Sequence, residues 1–161
     1  MPTGHQQVNA LQGSWWEVDI EVPQLNRAGA DAVEAFLCSL NGQEGTFLYR
    51  DILRGSSKGS ASGAWSVGAG CVANSTNLPT SGTGSLAVGD WIQVGTQLFR
   101  VLKVNSGSVD VFPRIRQAYA AGTQIIYTNA VGLFRQRQAP ALPITNGKNF
   151  GPYSISIMEA F

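Results

Sequence analysis

Hydrophobic and polar residues alternate along WWEVDIEV, residues 15 to 22. Trp16, Val18, Ile20 and Val22 fall on one side, and Trp15, Glu17, Asp19 and Glu21 on the other. A period of two predicts a strand with one buried face, ended here by Pro23. The period then lengthens. In ADAVEAFLCSLNG, Val33, Phe36, Leu37 and Leu40 recur at helical spacing and Asn41-Gly42 supplies a stop, so one helix is expected near residues 30 to 40. TFLYRDI, residues 46 to 52, returns to strand composition, with Phe47 read as core.

Residues 54 to 85 break both patterns. Gly, Ser, Thr and Asn dominate, with Trp65, Val67, Val72 and Leu78 as scattered apolar anchors. The alternation in SGAWSV argues for a short strand within an ordered, loop-rich region rather than a free linker. Strands resume from Leu86 onward as LAVGDWIQVG, QLFRVLKVN, VDVFPRI and TQIIYTN. Glycine-bearing turns at Gly89-Asp90, Gly95-Thr96-Gln97 and SGS separate the first three, as in a small antiparallel barrel of OB-like or SH3-like type. Trp91, at the start of such a strand, is expected to pack inward.

Composition sharpens this picture. With 161 residues, 43% of them hydrophobic, the chain is long enough for one core, or for a main domain carrying a small insertion. Only 13% are charged, against about 25% in an average soluble domain, so part of the surface is expected to be covered by other subunits. The net charge of +1 hides a gradient. Glu17, Asp19, Glu21, Asp31, Glu34, Glu44 and Asp51 crowd residues 1 to 52, while Arg100, Lys103, Arg114, Arg116, Arg135, Arg137 and Lys148 crowd residues 91 to 161. Ends of opposite sign either neutralise one another within one domain or orient head-to-tail contact between copies.

Candidate chemistry is sparse. The dense basic stripe with interleaved aromatics that marks a nucleic-acid surface is absent, as is any apolar run of membrane-spanning length. Cys38 and Cys71 show no metal-ligand spacing, and the one histidine is His5 near the start, so neither a zinc site nor a Ser or Cys nucleophile with its base is expected. Cys38, inside AFLCSL, reads as a buried thiol. The glycines of SGTGS and GAGC lack the lysine and the strand-to-helix setting of a phosphate loop. A cell-wall hydrolase would need a carboxylate pair in a cleft, and the acids of residues 17 to 21 line one strand face instead. No catalytic residue, cofactor or metal is therefore assigned. Arg114 and Arg116 flank Ile115 beyond Pro113, where they either bind an acidic partner or guard a strand edge with charge. Trp65 and Trp91 are the candidate platforms for a glycan, the reading of the chain as a carbohydrate-binding module.

The succession QQV, WWEVDIEVP, AVEAFLCSLNGQEGTFLYRD, GDWIQVG with LFRV, FPRIRQAYAAGT, VGLFR and a final YSISIMEA resembles the distal tail proteins of long-tailed phages and prophages, over nearly the whole chain. The resemblance implies a mainly β protein: residues 1 to 52 and 132 to 161 as an antiparallel β-sandwich, ring-forming domain with the helix packed on it, and residues 53 to 131 as an inserted small β-barrel. It further implies a non-enzymatic virion component, assembled in the host cytoplasm into a ring, expected to be a hexamer, that joins the tail tube protein to hub, tip or fibre proteins. Nucleic acid and membrane are not among the implied partners. Trp15, Glu17, Asp19 and Glu21, with Arg114, Arg116, Arg135 and Arg137, are the candidate subunit-interface residues. A tail-completion or head-to-tail adaptor ring is the alternative within the same particle. Two departures stand out: relatives carry further strand sequence before the QQV region, and a Gly-Asp-Pro turn where this chain has YRDIL.

Overall fold

A computed structural model describes residues 13–50, 61–138 and 151–161. In chain order the elements are β1 (Glu17–Val22), α1 (Arg27–Ser39), β2 (Thr46–Tyr49), β3 (Ala64–Val67), β4 (Asn77–Thr83), β5 (Trp91–Val94), β6 (Gln97–Asn105), β7 (Ser108–Phe112), β8 (Gln124–Ile126), β9 (Gly132–Gln136) and β10 (Tyr153–Glu159). The fold is mainly β, with one helix among the described residues. The strands segregate by sequence. Those from the two ends of the chain form a four-stranded sheet in the order β1-β10-β9-β2, and those between form a closed barrel in the order β3-β4-β7-β6-β5-β8.

In the four-stranded sheet every neighbouring pair is antiparallel. The register sets Glu17 opposite Met158, Asp19 opposite Ser156 and Glu21 opposite Ser154, so the acids of β1 share the outer face with Arg135 and Thr46 of the next strands. The inner face carries Val18, Ile20, Tyr153, Ile157, Phe134 and Phe47. Its central residues Phe134 and Ile157 are fully buried, whereas Val18, Ile20 and Val22 on the edge strand are half-buried.

Helix α1 lies on this inner face, where Phe36 meets the ring of Phe47 edge-on at 5.4 Å and Glu34 Oε1 accepts a 2.7 Å hydrogen bond from the Tyr153 hydroxyl. That bond, more than burial, pushes the Tyr153 pKa up to about 12. The helix starts at Arg27, three residues before the expected start. The cause is Asn26, whose side chain accepts from the Gly29 amide at 2.9 Å and so caps the first turn. It stops where the sequence indicated, because Asn41 and Gly42 both take positive φ, 49° and 69°. Leu37 and Leu40 are buried as expected, but Cys38 is not. One position beyond Leu37 it is rotated about 100° around the helix axis and faces solvent. The buried thiol is Cys71, whose backbone bridges Tyr119.

The barrel core is contiguous and apolar, built from residues including Phe99, Ile92, Leu78, Val101 and Ile115. Closure comes from β8, which pairs with both β3 and β5. Where β3 begins beside the end of β4 the backbones run close: a Cβ on Gly63, itself at φ +84°, would stand 1.5 Å from the Thr83 carbonyl oxygen. Trp65 does lie in a strand, as the alternation indicated, but the loop-rich reading of the region missed β4. Asn77 to Pro79 pair with β7 and Thr80 to Thr83 with β3. Pro79, which has no N–H to give, sits where the strand passes from one partner to the other.

Trp91 corrects another expectation. In β5 the residues turned into the barrel are Ile92 and Val94, both fully buried, and Trp91 is turned outward toward the sheet. The hairpin β5–β6 is the part of the barrel that reaches the sheet: Leu133 N donates to Thr96 O at 2.9 Å, and Val131 N to Gln93 Oε1 at 2.9 Å. The absence of a side chain at Gly132 permits this approach, since a Cβ there would come within 2.9 Å of Leu98 Cβ.

Candidate functional site

Polar and aromatic side chains concentrate where sheet and barrel meet. Trp16, just before β1, donates its indole N–H to Leu98 O at 3.0 Å and packs its ring 4.8 Å from Trp91 and 4.9 Å from Phe112, both barrel residues. Its backbone is held from the other side by Glu159 at the end of β10. Trp16 N donates to Glu159 Oε2 at 3.2 Å, and Glu159 N donates to Trp16 O at 2.9 Å. Gln97 closes the array, accepting from Arg116 N at 2.9 Å and donating to Arg114 O at 2.8 Å.

Glu159 is only 3% exposed. Burial raises its pKa above the ordinary carboxylate value, although the Trp16 amide, the Arg116 charge and the Gln97 amide each pull it back. The carboxylate thus sits among donors from three separate stretches of chain, which fixes their mutual placement. No grouping of this kind supplies a nucleophile with a base. Among the described residues no three His, Cys, Asp or Glu side chains come together as a metal site, and no helix is long and apolar enough to cross a membrane.

Beside this array lies a half-open groove of about 390 Å³ lined by Trp16, Glu17, Val18, Asp19, Tyr49, Trp91, Leu98, Arg100 and Phe134. The Arg100 guanidinium stands 5.6 Å from the centre of the Trp91 ring, a cation–π arrangement.

No protein-family model matches the chain. No curated protein matches it either. The geometry therefore carries the functional argument.

The interface and glycan candidates fall into three groups. Trp15 is 40% exposed and donates its indole N–H to Glu17 Oε1 at 2.9 Å; Glu17 in turn pairs with Arg137 at 3.3 Å, and Asp19 accepts from Ser156 Oγ at 2.6 Å. The opposite charges of the two chain ends meet here within one molecule. Glu21 and Arg135 lie on the same outer face, and their side chains make no hydrogen bond or ion pair among the described residues.

Arg114 and Arg116 form the second group. Arg114 donates to Asn74 O at 3.0 Å, while Arg116 donates to Ser14 O and stacks 4.6 Å from the Phe161 ring. Arg116 is thereby tied into the junction. The tryptophans proposed as glycan platforms form the third. Trp65 packs on the barrel core with its indole N–H on Ser62 O at 2.8 Å, and Trp91 is enclosed between Trp16 and Arg100.

Sequence reasoning overlooked Trp16, Gln97, Arg100 and Glu159 as members of one site. Trp16 gave the only signal, as an inward position of β1 that lies beyond the hydrophobic face needed to cover one helix.

Proposed function

We propose that this chain is a structural, non-enzymatic component of a phage tail that assembles into a ring at the distal end of the tail tube and connects the tube to tip, hub or fibre proteins. The observation that carries the reading is the arrangement of the chain. Its two ends form one antiparallel sheet bearing a single helix, and a closed barrel is inserted between β2 and β9. This is the layout implied by the order of the sequence motifs. Two further features favour assembly: among the described residues β1 and β2 both end the sheet with an unpaired edge, and the inner face stays half-covered at Val18, Ile20 and Val22.

Assembly is tested by native mass spectrometry of the full chain with negative-stain imaging, alone and mixed with a tail tube protein. A closed ring, expected to have six copies, supports the reading. A monomer under both conditions overturns it.

A further inference from the structure

The turn that ends α1 holds two residues whose chemistry goes beyond stopping a helix. Asn41 N donates to Cys38 O at 3.1 Å, and Gly45 N closes the turn on Leu40 O at 2.8 Å. Between them, Asn41 is exposed and a Cβ on Gly42 would find no atom within 4 Å. The Gly42 amide makes no hydrogen bond among the described residues. Its nitrogen is thus unencumbered, one residue after a side chain that carries an electrophilic carbonyl carbon.

The reaction open to this pair is ring closure. Once the Gly42 N–H has lost its proton to hydroxide, a bond forms from Gly42 N to Asn41 Cγ, the Cγ–Nδ2 bond breaks, and the departing nitrogen takes a proton from water and leaves as ammonia. Water then opens the cyclic imide at either carbonyl, giving aspartate or the isomer whose backbone runs through the side chain. In sum, amide and water become carboxylate and ammonium. Glycine obstructs the approach least, having no Cβ. Every other asparagine among the described residues is followed by a residue that has one.

Glu44 restrains the first step. Asn41 Nδ2 donates to Glu44 Oε2 at 2.5 Å, so the amide must leave a charged acceptor before Cγ can turn onto Gly42 N. The same contact determines what conversion does. A carboxylate at position 41 would meet the Glu44 carboxylate where an amide now donates, both at the negative end of the helix dipole, and the last turn of α1 has no basic residue to offset them. Attraction becomes repulsion at the end of the helix that covers the inner face of the sheet through Phe36.

We propose that Asn41-Gly42 is a site of spontaneous deamidation, restrained by Glu44, whose product loosens the C-terminal end of α1. The proposal stands apart from the ring reading, because it concerns the single chain.

The test ages the full chain in mildly alkaline buffer at physiological temperature beside a blocked synthetic peptide of residues 38 to 45. Tryptic cleavage after Arg27 and Arg50 separates Asn41 from the second Asn-Gly pair, Asn146-Gly147, which lies outside the described residues. Mass spectrometry of the fragment from 28 to 50 is expected to show amide replaced by acid, as aspartate and isoaspartate, while Asn74 and Asn129 stay intact. Glu44→Ala should convert about fivefold faster, the effect of losing one hydrogen bond. Hydrogen exchange in the last turn of α1 should quicken in the aged protein and in Asn41→Asp. It should stay slow in aged Asn41→Gly, which suits positive φ and has no amide to lose. Circular dichroism checks that each variant is folded. The proposal fails if the fragment keeps its amide after the peptide has converted fully, if Glu44→Ala converts no faster than the parent chain, or if Asn41→Asp leaves exchange at the helix end unchanged. Oligomeric state is read separately by mass, so failure here leaves the ring reading standing, and the reverse also holds.

Discussion

The barrel and the four-stranded sheet use similar strands and reach different degrees of completion. In the barrel each strand has two neighbours and the inward residues of all six strands meet in one apolar core. In the sheet only the central strands β9 and β10 are bounded on both sides, and the helix covers part of one face. The barrel pairs every strand on both sides, although Val72, Val88, Leu102 and Val104 remain exposed on its outside, whereas among the described residues the sheet leaves two strand edges open. The difference teaches that closure of the strand order, rather than strand composition, is what gives the barrel a single enclosed core while the sheet keeps two edges among the described residues.

The largest test of that contrast is in the barrel core. Phe99 is fully buried in it, and Phe99→Ala should cost about 3–5 kcal/mol in chemical denaturation. Phe36 on the helix is 45% exposed, so Phe36→Ala should cost much less in the monomer. Equal losses at the two positions would erase the distinction between a closed and an open core.

A second test addresses the joint between the two parts. Replacing Glu159 by Ala leaves the Trp16 amide without its acceptor in a buried setting, with an expected loss of about 1–3 kcal/mol. The pH dependence has a definite sign. Burial raises the folded-state pKa of Glu159 above its unfolded value, so the folded protein binds the extra proton between the two values. Its contribution is most favourable below the unfolded pKa and declines as pH rises through that window to the raised value. Glu159→Gln should flatten this part of the stability-versus-pH curve, whereas an unchanged slope in that variant would locate the titration elsewhere.

The smallest effect is expected on the outer face of the sheet. Arg137 and Glu17 form an exposed pair with side chains 59% and 43% accessible, and Arg137→Gln should cost about 0.2–1 kcal/mol in the monomer, less at high salt. If the same variant disrupts an assembled ring while leaving the monomer intact, the outer face is part of the subunit contact and the pair serves more than one molecule.

How much of this was legible in the sequence depended on whether a signal was local. The alternation through β1, the stop at Asn41-Gly42 and the turn at Gly95-Thr96 are properties of a few adjacent residues, and all three appear in the structure. β4 was hidden because NLPTSGT carries almost no apolar pattern. What makes it a strand is pairing with β7 and β3, which no window along the chain contains. Trp91 was misread because periodicity reveals that two faces exist but not which one meets a second layer. The junction was the least legible part, since Glu159 and Trp16 lie 143 positions apart and only the sheet order brings them together. Neither residue has an unusual local context.

Tyr127 donates its hydroxyl to Gly63 O at 2.9 Å, holding the residue just past β8 against the residue just before β3. Among the described residues the six barrel strands pair only with one another, so the order of the four strands of the sheet is set without them. The barrel is held to the sheet by the Leu98 carbonyl, which accepts from the Trp16 indole, and by the Gln97 side-chain amide beside Glu159.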